Sequence, residues 1–502
     1  MDRKKIVTAA ILLMTAGLLG CSARETAQTL SQNTSQESAQ PENGGAGGTA
    51  ADKAAGNAAK SQGTEGFATP EDAVLTYLAA LRNHDTGLME DTFGEEPGAQ
   101  DISRQFAYLC GLDQIPQLAD GGTVSLKDDQ EIHRLLGELT RRVEETDLDT
   151  MEFLGFVGPE LLVEMYSTEP YQKSLSDMAR KFGGSRMDNR VAVIAVGSRK
   201  YMLFFDLIEK NGRWYNQQLG GILASVAGIG EESAGVIGLD GVDEAMLEAL
   251  HLPDSAPASL PEYGKGVPAS RTQGSGYDSP RQAAAAYLEG LKAGDLEQIL
   301  STFSVESYGE HYDLRAQAEY TRGYLFLRQD VSIPTASGWA KAVVSLDRKL
   351  RLEREILQQA RAFYLCSTYF SGVQATQEDI AFPWEELPRK MELDTLEVLG
   401  YLPLETVCEI CDLPQLPDAE NARMAGICGA GQVDASVLVF RCGGETYALF
   451  LQAAEYGGRW YNSQIGNWVS AMLGISVEFK GTAPAEILAD PVQLEELLMP
   501  VT

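Results

Sequence analysis

The residues of this chain that could do chemistry come in matched sets. Gly212, Arg213, Trp214, Tyr215, Asn216 and Gln218 return in the same order and spacing as Gly458, Arg459, Trp460, Tyr461, Asn462 and Gln464. Asn and Gln at the mouth of a cavity can read a ligand through hydrogen bonds, which makes Trp214, Asn216, Trp460 and Asn462 candidate binding residues. The competing reading is packing, because Trp and Tyr at a strand end bury their rings while their polar tips find partners. Cys110 and Cys366 lie in matching Tyr-Leu-Cys runs and read as buried thiols. Cys408, Cys411, Cys428 and Cys442 could supply a four-thiolate zinc site, but the spacing after the first pair fits no common zinc module. The matching upstream segment lacks all of them. No H-E-x-x-H, G-x-S-x-G or phosphate-loop pattern is present, so no metal, cofactor or catalytic residue is assigned.

These residues are positioned by a segment written twice. Residues 67–93 align without a gap with 277–303, 148–156 with 393–401, and 201–229 with 447–475; the run ending at Pro253 answers the run ending at Pro500. Each copy opens with helix signals: Thr69 or Ser279 as N-cap, then Pro70 or Pro280, then an apolar stripe through Tyr77 or Tyr287. Asp85 and Asp295 cap a second helix. The middles, 129–146 and 346–370, read helical. Later the period becomes strand-like, with turns at Gly197-Ser198 and Asn211-Gly212 and at Gly457-Gly458. The expected fold class is α+β: two tandem copies, each with N-terminal helices, an antiparallel meander and a C-terminal helix. The expected divisions are 1–20 signal peptide, 21–66 tether, 67–253 first copy, 254–276 linker and 277–502 second copy. The Pro-, Ser- and Gly-containing linker should let the copies reorient.

The N-terminus carries an address. Arg3, Lys4 and Lys5 precede an apolar run, 6–19, shorter than the roughly 20 residues that cross a bilayer as a helix. The run ends in Leu18-Leu19-Gly20-Cys21, which resembles the lipobox of bacterial lipoproteins, whose cysteine is acylated and becomes the mature N-terminus. The resemblance implies export, an anchor at Cys21, and residence on the extracytoplasmic face of the cell membrane. The following stretch is rich in Ser, Gln, Asn, Gly and Ala, and as a coil of about 45 residues it would reach on the order of 35–40 Å. A net charge of -32 argues against nucleic acid, which calls for a basic footprint.

The opening S/T-P-x-x-A-x-x-x-Y-L-x-x-L with its following Asp, and the closing G-R-W-Y hairpin, resemble lipoproteins that carry nuclear-transport-factor-two-like domains. The resemblance implies a curved sheet wrapped around long helices. Folds of this kind have hosted isomerases, scaffolds and binding modules. An isomerase-type site would join an Asp base to a Tyr donor in a dry cavity, so Tyr77 with Asp85 and Tyr287 with Asp295 become further candidates. The expectation is a lipid-anchored, non-catalytic protein whose two modules bind a small-molecule ligand or an envelope protein. The alternative is a small-molecule enzyme, isomerase or hydrolase, with a cavity in each domain.

Overall fold

The computed structural model describes residues 66–94, 101–115, 129–230, 233–239, 259–264, 266–320, 333–334, 337–370, 384–414, 418–475 and 479–501. Cys21, the tether and the helix expected before Pro253 lie outside them.

In the first copy the elements are α1 (Pro70–Arg82), α2 (Thr86–Asp91), α3 (Ile102–Leu109), α4 (Asp129–Glu145), β1 (Glu152–Val157), α5 (Glu169–Lys181), β2 (Arg186–Val196), β3 (Arg199–Lys210), β4 (Arg213–Leu219), α6 (Gly221–Val226) and β5 (Val236–Gly238). The second copy has α7 (Pro280–Ala293), α8 (Leu296–Ser301), α9 (Glu306–His311), α10 (Leu314–Tyr320), α11 (Gly338–Phe370) and β6 (Glu397–Leu402). It continues with α12 (Leu404–Ile410), α13 (Asp418–Cys428), β7 (Val433–Cys442), β8 (Glu445–Tyr456), β9 (Arg459–Ile465), α14 (Trp468–Met472), β10 (Thr482–Pro484) and α15 (Pro491–Leu497). The class is α+β in two tandem units, each built on a five-stranded antiparallel sheet.

The local signals act as written. Thr69 and Ser279 accept from the backbone N–H of Asp72 and Gln282, satisfying donors that a helix start leaves open. The hairpin between β3 and β4 turns at Asn211 (φ 51°) and Gly212 (φ 75°), the paired left-handed geometry of a two-residue turn. Both sheets carry the same two irregularities. One lies between Phe153 and Gly155 and recurs between Val398 and Gly400; the other follows Asp206 and recurs after Gln452. Each bulge bends its strand, so the sheet curves about the first helix of its copy.

Both faces of each sheet are covered. In the first copy Leu203, Phe205 and Leu207 face α1 and α3, while Met202, Phe204 and Ile208 face a second apolar layer under α5 and α6. In the second copy Leu449 and Leu451 face inward, and Ala448 and Phe450 lie against an outer layer containing Val407, Val469 and Leu494.

The two units do not complete their cores separately. Helix α11 has 33 residues, about 50 Å at the α-helical rise. Its first half contributes Ala340, Val343, Val344, Leu346 and Leu350 to the first copy's core. From Leu352 onward it contributes Leu352, Ile356, Ala360 and Phe363 to the second copy's core. Free reorientation about the linker is therefore not what the structure holds. Leu260 is buried, Gly87 N donates to Val267 O (3.0 Å), and Ala269 N donates to Thr86 Oγ1 (3.0 Å). Further along, Thr272 N and Gln273 N donate to the two carboxylate oxygens of Glu306 at 2.6 and 2.8 Å. A segment held along its described length by such contacts is a strap, whatever its Pro and Gly content suggests.

Candidate functional site

The space between the first helix and the sheet is where a cavity site would lie. In the first copy Tyr77 fills it, fully buried, with its ring edge-on to Phe93 (5.9 Å) and Phe205 (5.6 Å). Its hydroxyl donates to Gln105 Oε1 at 2.7 Å. In the second copy Tyr287 stands edge-on to Phe303 (5.9 Å) and donates to Gln359 Oε1 at 2.6 Å. Burial drives both phenols well above their ordinary range, so they remain neutral donors. Asp85 and Asp295 are elsewhere, accepting from Leu88 N (2.8 Å) and Gln298 N (2.9 Å) as N-caps of α2 and α8. In neither copy do Tyr and Asp share a hydrogen bond.

The retained Trp-Tyr-Asn run sits where three chain segments meet. Trp214 pairs through its backbone with Phe67, and Trp460 with Tyr277. Asn216 N donates to Thr92 O and Asn462 N to Thr302 O, both at 2.9 Å. Their side-chain amides reach back to the first helix, Asn216 Nδ2 to Ala73 O (3.4 Å) and Asn462 Nδ2 to Ala283 O (2.8 Å). Both Asn side chains are fully buried. Trp214 is buried beneath the Arg186 guanidinium (5.0 Å), and Trp460 is partly buried. The run thus ties the fourth strand to both ends of the helical layer.

The sulfur atoms are dispersed. Cys408 lies on α12 and Cys411 at its C-cap, on the outer side of sheet two, whereas Cys442 Sγ is in the inner core against Met391 O at 3.2 Å. Among the described residues, no group of three or more His, Cys, Asp or Glu side chains is gathered for a metal ion. Cys110 is buried, which pushes its thiol up to about 12. The Cys366 side chain lies outside the described residues.

Two clusters escaped the sequence reading. The first is on the outer face of sheet one. Asp206 is completely buried; its carboxylate accepts from Asn189 Nδ2 (2.5 Å) and Ile222 N (3.1 Å), and Tyr171 Oη donates to Asn189 Oδ1 (3.1 Å). Both donors are neutral, and desolvation pushes the acid up to about 7. The signal available in sequence was an Asp in the middle of the apolar strand YMLFFDLIE.

The second cluster lies on the seam between copies. Asp347 of α11 accepts from Ile102 N and Ser103 Oγ at the start of α3, each at 2.8 Å, and pairs with Arg351 at 2.8 Å. Arg351 also reaches Asp101, and Lys349 pairs with Glu90. Trp339 stacks on His84, ring centres 4.6 Å apart, and meets Phe106 edge-on at 5.8 Å.

Among solved structures the chain is similar to a cystatin-like protein from Ruminococcus gnavus ATCC 29149, with 14% identity and a TM-score of 0.39 over 79% of this chain and 88% of that one. No family model matches the chain, and no curated protein does. No helix among the described residues is long and apolar enough to cross a membrane.

Proposed function

We propose that the protein is an exported lipoprotein, acylated at Cys21, whose two α+β units form one rigid, non-catalytic module for a ligand or an envelope protein. The observation that carries the non-catalytic reading is the filled interior. Tyr77, Phe93 and Phe205 in the first copy, and Tyr287, Phe303 and Leu449 in the second, occupy the space between helix and sheet. The Asp residues that could serve as bases are engaged as helix caps. Recognition then falls to the outer surface, presented away from the membrane by the tether. Two or more acyl chains on Cys21 would hold such a body stably, where one alone is marginal.

The test is metabolic labelling with an alkyne fatty acid, comparing wild type with Cys21→Ser. Label and membrane fractionation in the wild type, both lost in the variant, are expected. An unlabelled wild type removes the anchor. Turnover of any small molecule by the mature protein removes the non-catalytic half of the reading.

A further inference from the structure

We propose that Asp206 is a proton-operated latch, fastening the Gly220–Gly221 corner and α6 to sheet one when neutral and loosening them when ionised. The corner needs an external fastener. Neither Gly220, at the N-cap position, nor Gly221 has a side chain with which to cap α6, so the cap comes from across the sheet, as Asp206 Oδ2 accepting from Ile222 N. The approach is tight, since a Cβ on Gly221 would fall 2.1 Å from the Asp206 carboxyl. The same corner is bound to the strand beneath by Gly220 N to Phe204 O (2.8 Å), and Phe204 N continues to Gly235 O (3.0 Å), next to β5.

The second copy makes the same corner without a buried charge. There Asn467 replaces Gly221 and caps α14 itself, accepting from Val469 N and Ser470 N, while Gln452 occupies the Asp206 position and Ala435 stands opposite in place of Asn189. The first copy alone has placed an ionisable group at this joint.

The charged and titratable groups around Asp206 do not neutralise it. From β2, Arg190 is committed to Asp188 (3.0 Å) and Glu71 (2.6 Å). Tyr166 donates to Asp188 (2.9 Å), Tyr171 of α5 points at Asn189, and α6 contributes only backbone at the carboxylate. Opposite on β4 stands neutral Gln218. Burial among apolar side chains without a counter-cation favours the protonated form, and this outweighs the two neutral donors, which by themselves favour the carboxylate. With the Asn189 amide turned over, the acid O–H of the neutral form would find an acceptor in Asn189 Oδ1.

The folded acid titrates above its ordinary 3.8, so its stabilising state is complete at low pH and lost as pH rises through about 7. Glu353 also rises to about 7, through burial first and then the nearby Glu90 and Glu297, so a global melt does not isolate Asp206. The experiment is hydrogen exchange at the Ile222 amide in the full chain at about pH 5.5 and about pH 8.5, corrected for intrinsic exchange, with a carboxyl-carbon NMR titration of Asp206 alongside. Protection should fall about tenfold or more between the two conditions in wild type and stay flat in Asp206→Asn. Equal protection at both pH values in the wild type, or the same fall in the variant, overturns the latch. If the variant fails to fold, the titration decides: an acid titrating near neutrality supports the proposal, and one ionised throughout down to about pH 5 overturns it.

Discussion

The two copies share a frame and differ in how they close it. The caps of the opening helices, the bulges and the core strand register repeat, from Thr69 and Ser279 to the pairing of Asn216 with Phe93 and Asn462 with Phe303. The first copy's core, however, is finished by Val343, Val344, Leu346 and Leu350 from the second copy's long helix. The second copy's Gln359 amide donates to Thr482 Oγ1 at 2.8 Å, whereas the first copy's Gln105 Nε2 has no hydrogen-bond partner among the described residues, because Val236 stands where Thr482 stands. Duplication preserved what local chemistry specifies, while the interiors diverged to make two copies into one body.

The largest test of that difference is to separate the halves. A fragment ending at residue 276 loses the α11 side chains, a deficit on the order of 5–10 kcal/mol of apolar burial, comparable to the whole stability of a domain. It should lack a cooperative melt and dispersed amide NMR signals; a sharp transition would show the halves to be independent.

Next in size is the buried acid. Asp206→Asn should stabilise the protein by up to about 4 kcal/mol at alkaline pH and by much less below about pH 4, where the folded and unfolded acids are both neutral. Urea unfolding across that window measures it. A variant gain independent of pH would assign the effect to packing instead.

Asp347→Ala, at the seam, leaves Ile102 N and Ser103 Oγ without their acceptor and removes one of the two carboxylates that Arg351 meets, and the expected loss is about 3 kcal/mol. Calorimetry of the full chain should show the melting temperature falling, and an unchanged melt would remove the seam contact from the stability of the body. Smallest are the exchanged partners. Thr482→Val should cost about 1–3 kcal/mol by stranding the Gln359 amide, and Val236→Thr should stabilise by about 1 kcal/mol by giving Gln105 Nε2 an acceptor. Opposite signs from the two substitutions in chemical denaturation sharpen the comparison; matching signs break it.

What was legible in the sequence was legible because it is local. A cap needs Thr69 or Asp85 within three residues of the amide it accepts from, and the Asn211-Gly212 turn needs only its own backbone freedom. The positions of Trp214, Asn216 and their counterparts were found by repetition, but whether they line a cavity or join segments depends on Phe67, Phe93 and Ala73 arriving beside them. Asp206 was passed over because an Asp in an apolar strand has no meaning until Asn189, Tyr171 and the Gly220–Gly221 corner close around it.

By itself the sequence determined the doubling, the α+β order and the helix starts, since periodicity and capping are carried by neighbours along the chain. Only the tertiary structure decided where α11 ends up, because Asp347 meets Ile102 across 245 residues. The composition of a helix sets which face is apolar, not which of two nearly identical sheets that face will cover. That choice belongs to the packed whole, where Leu350 turns toward one core and Leu352 toward the other.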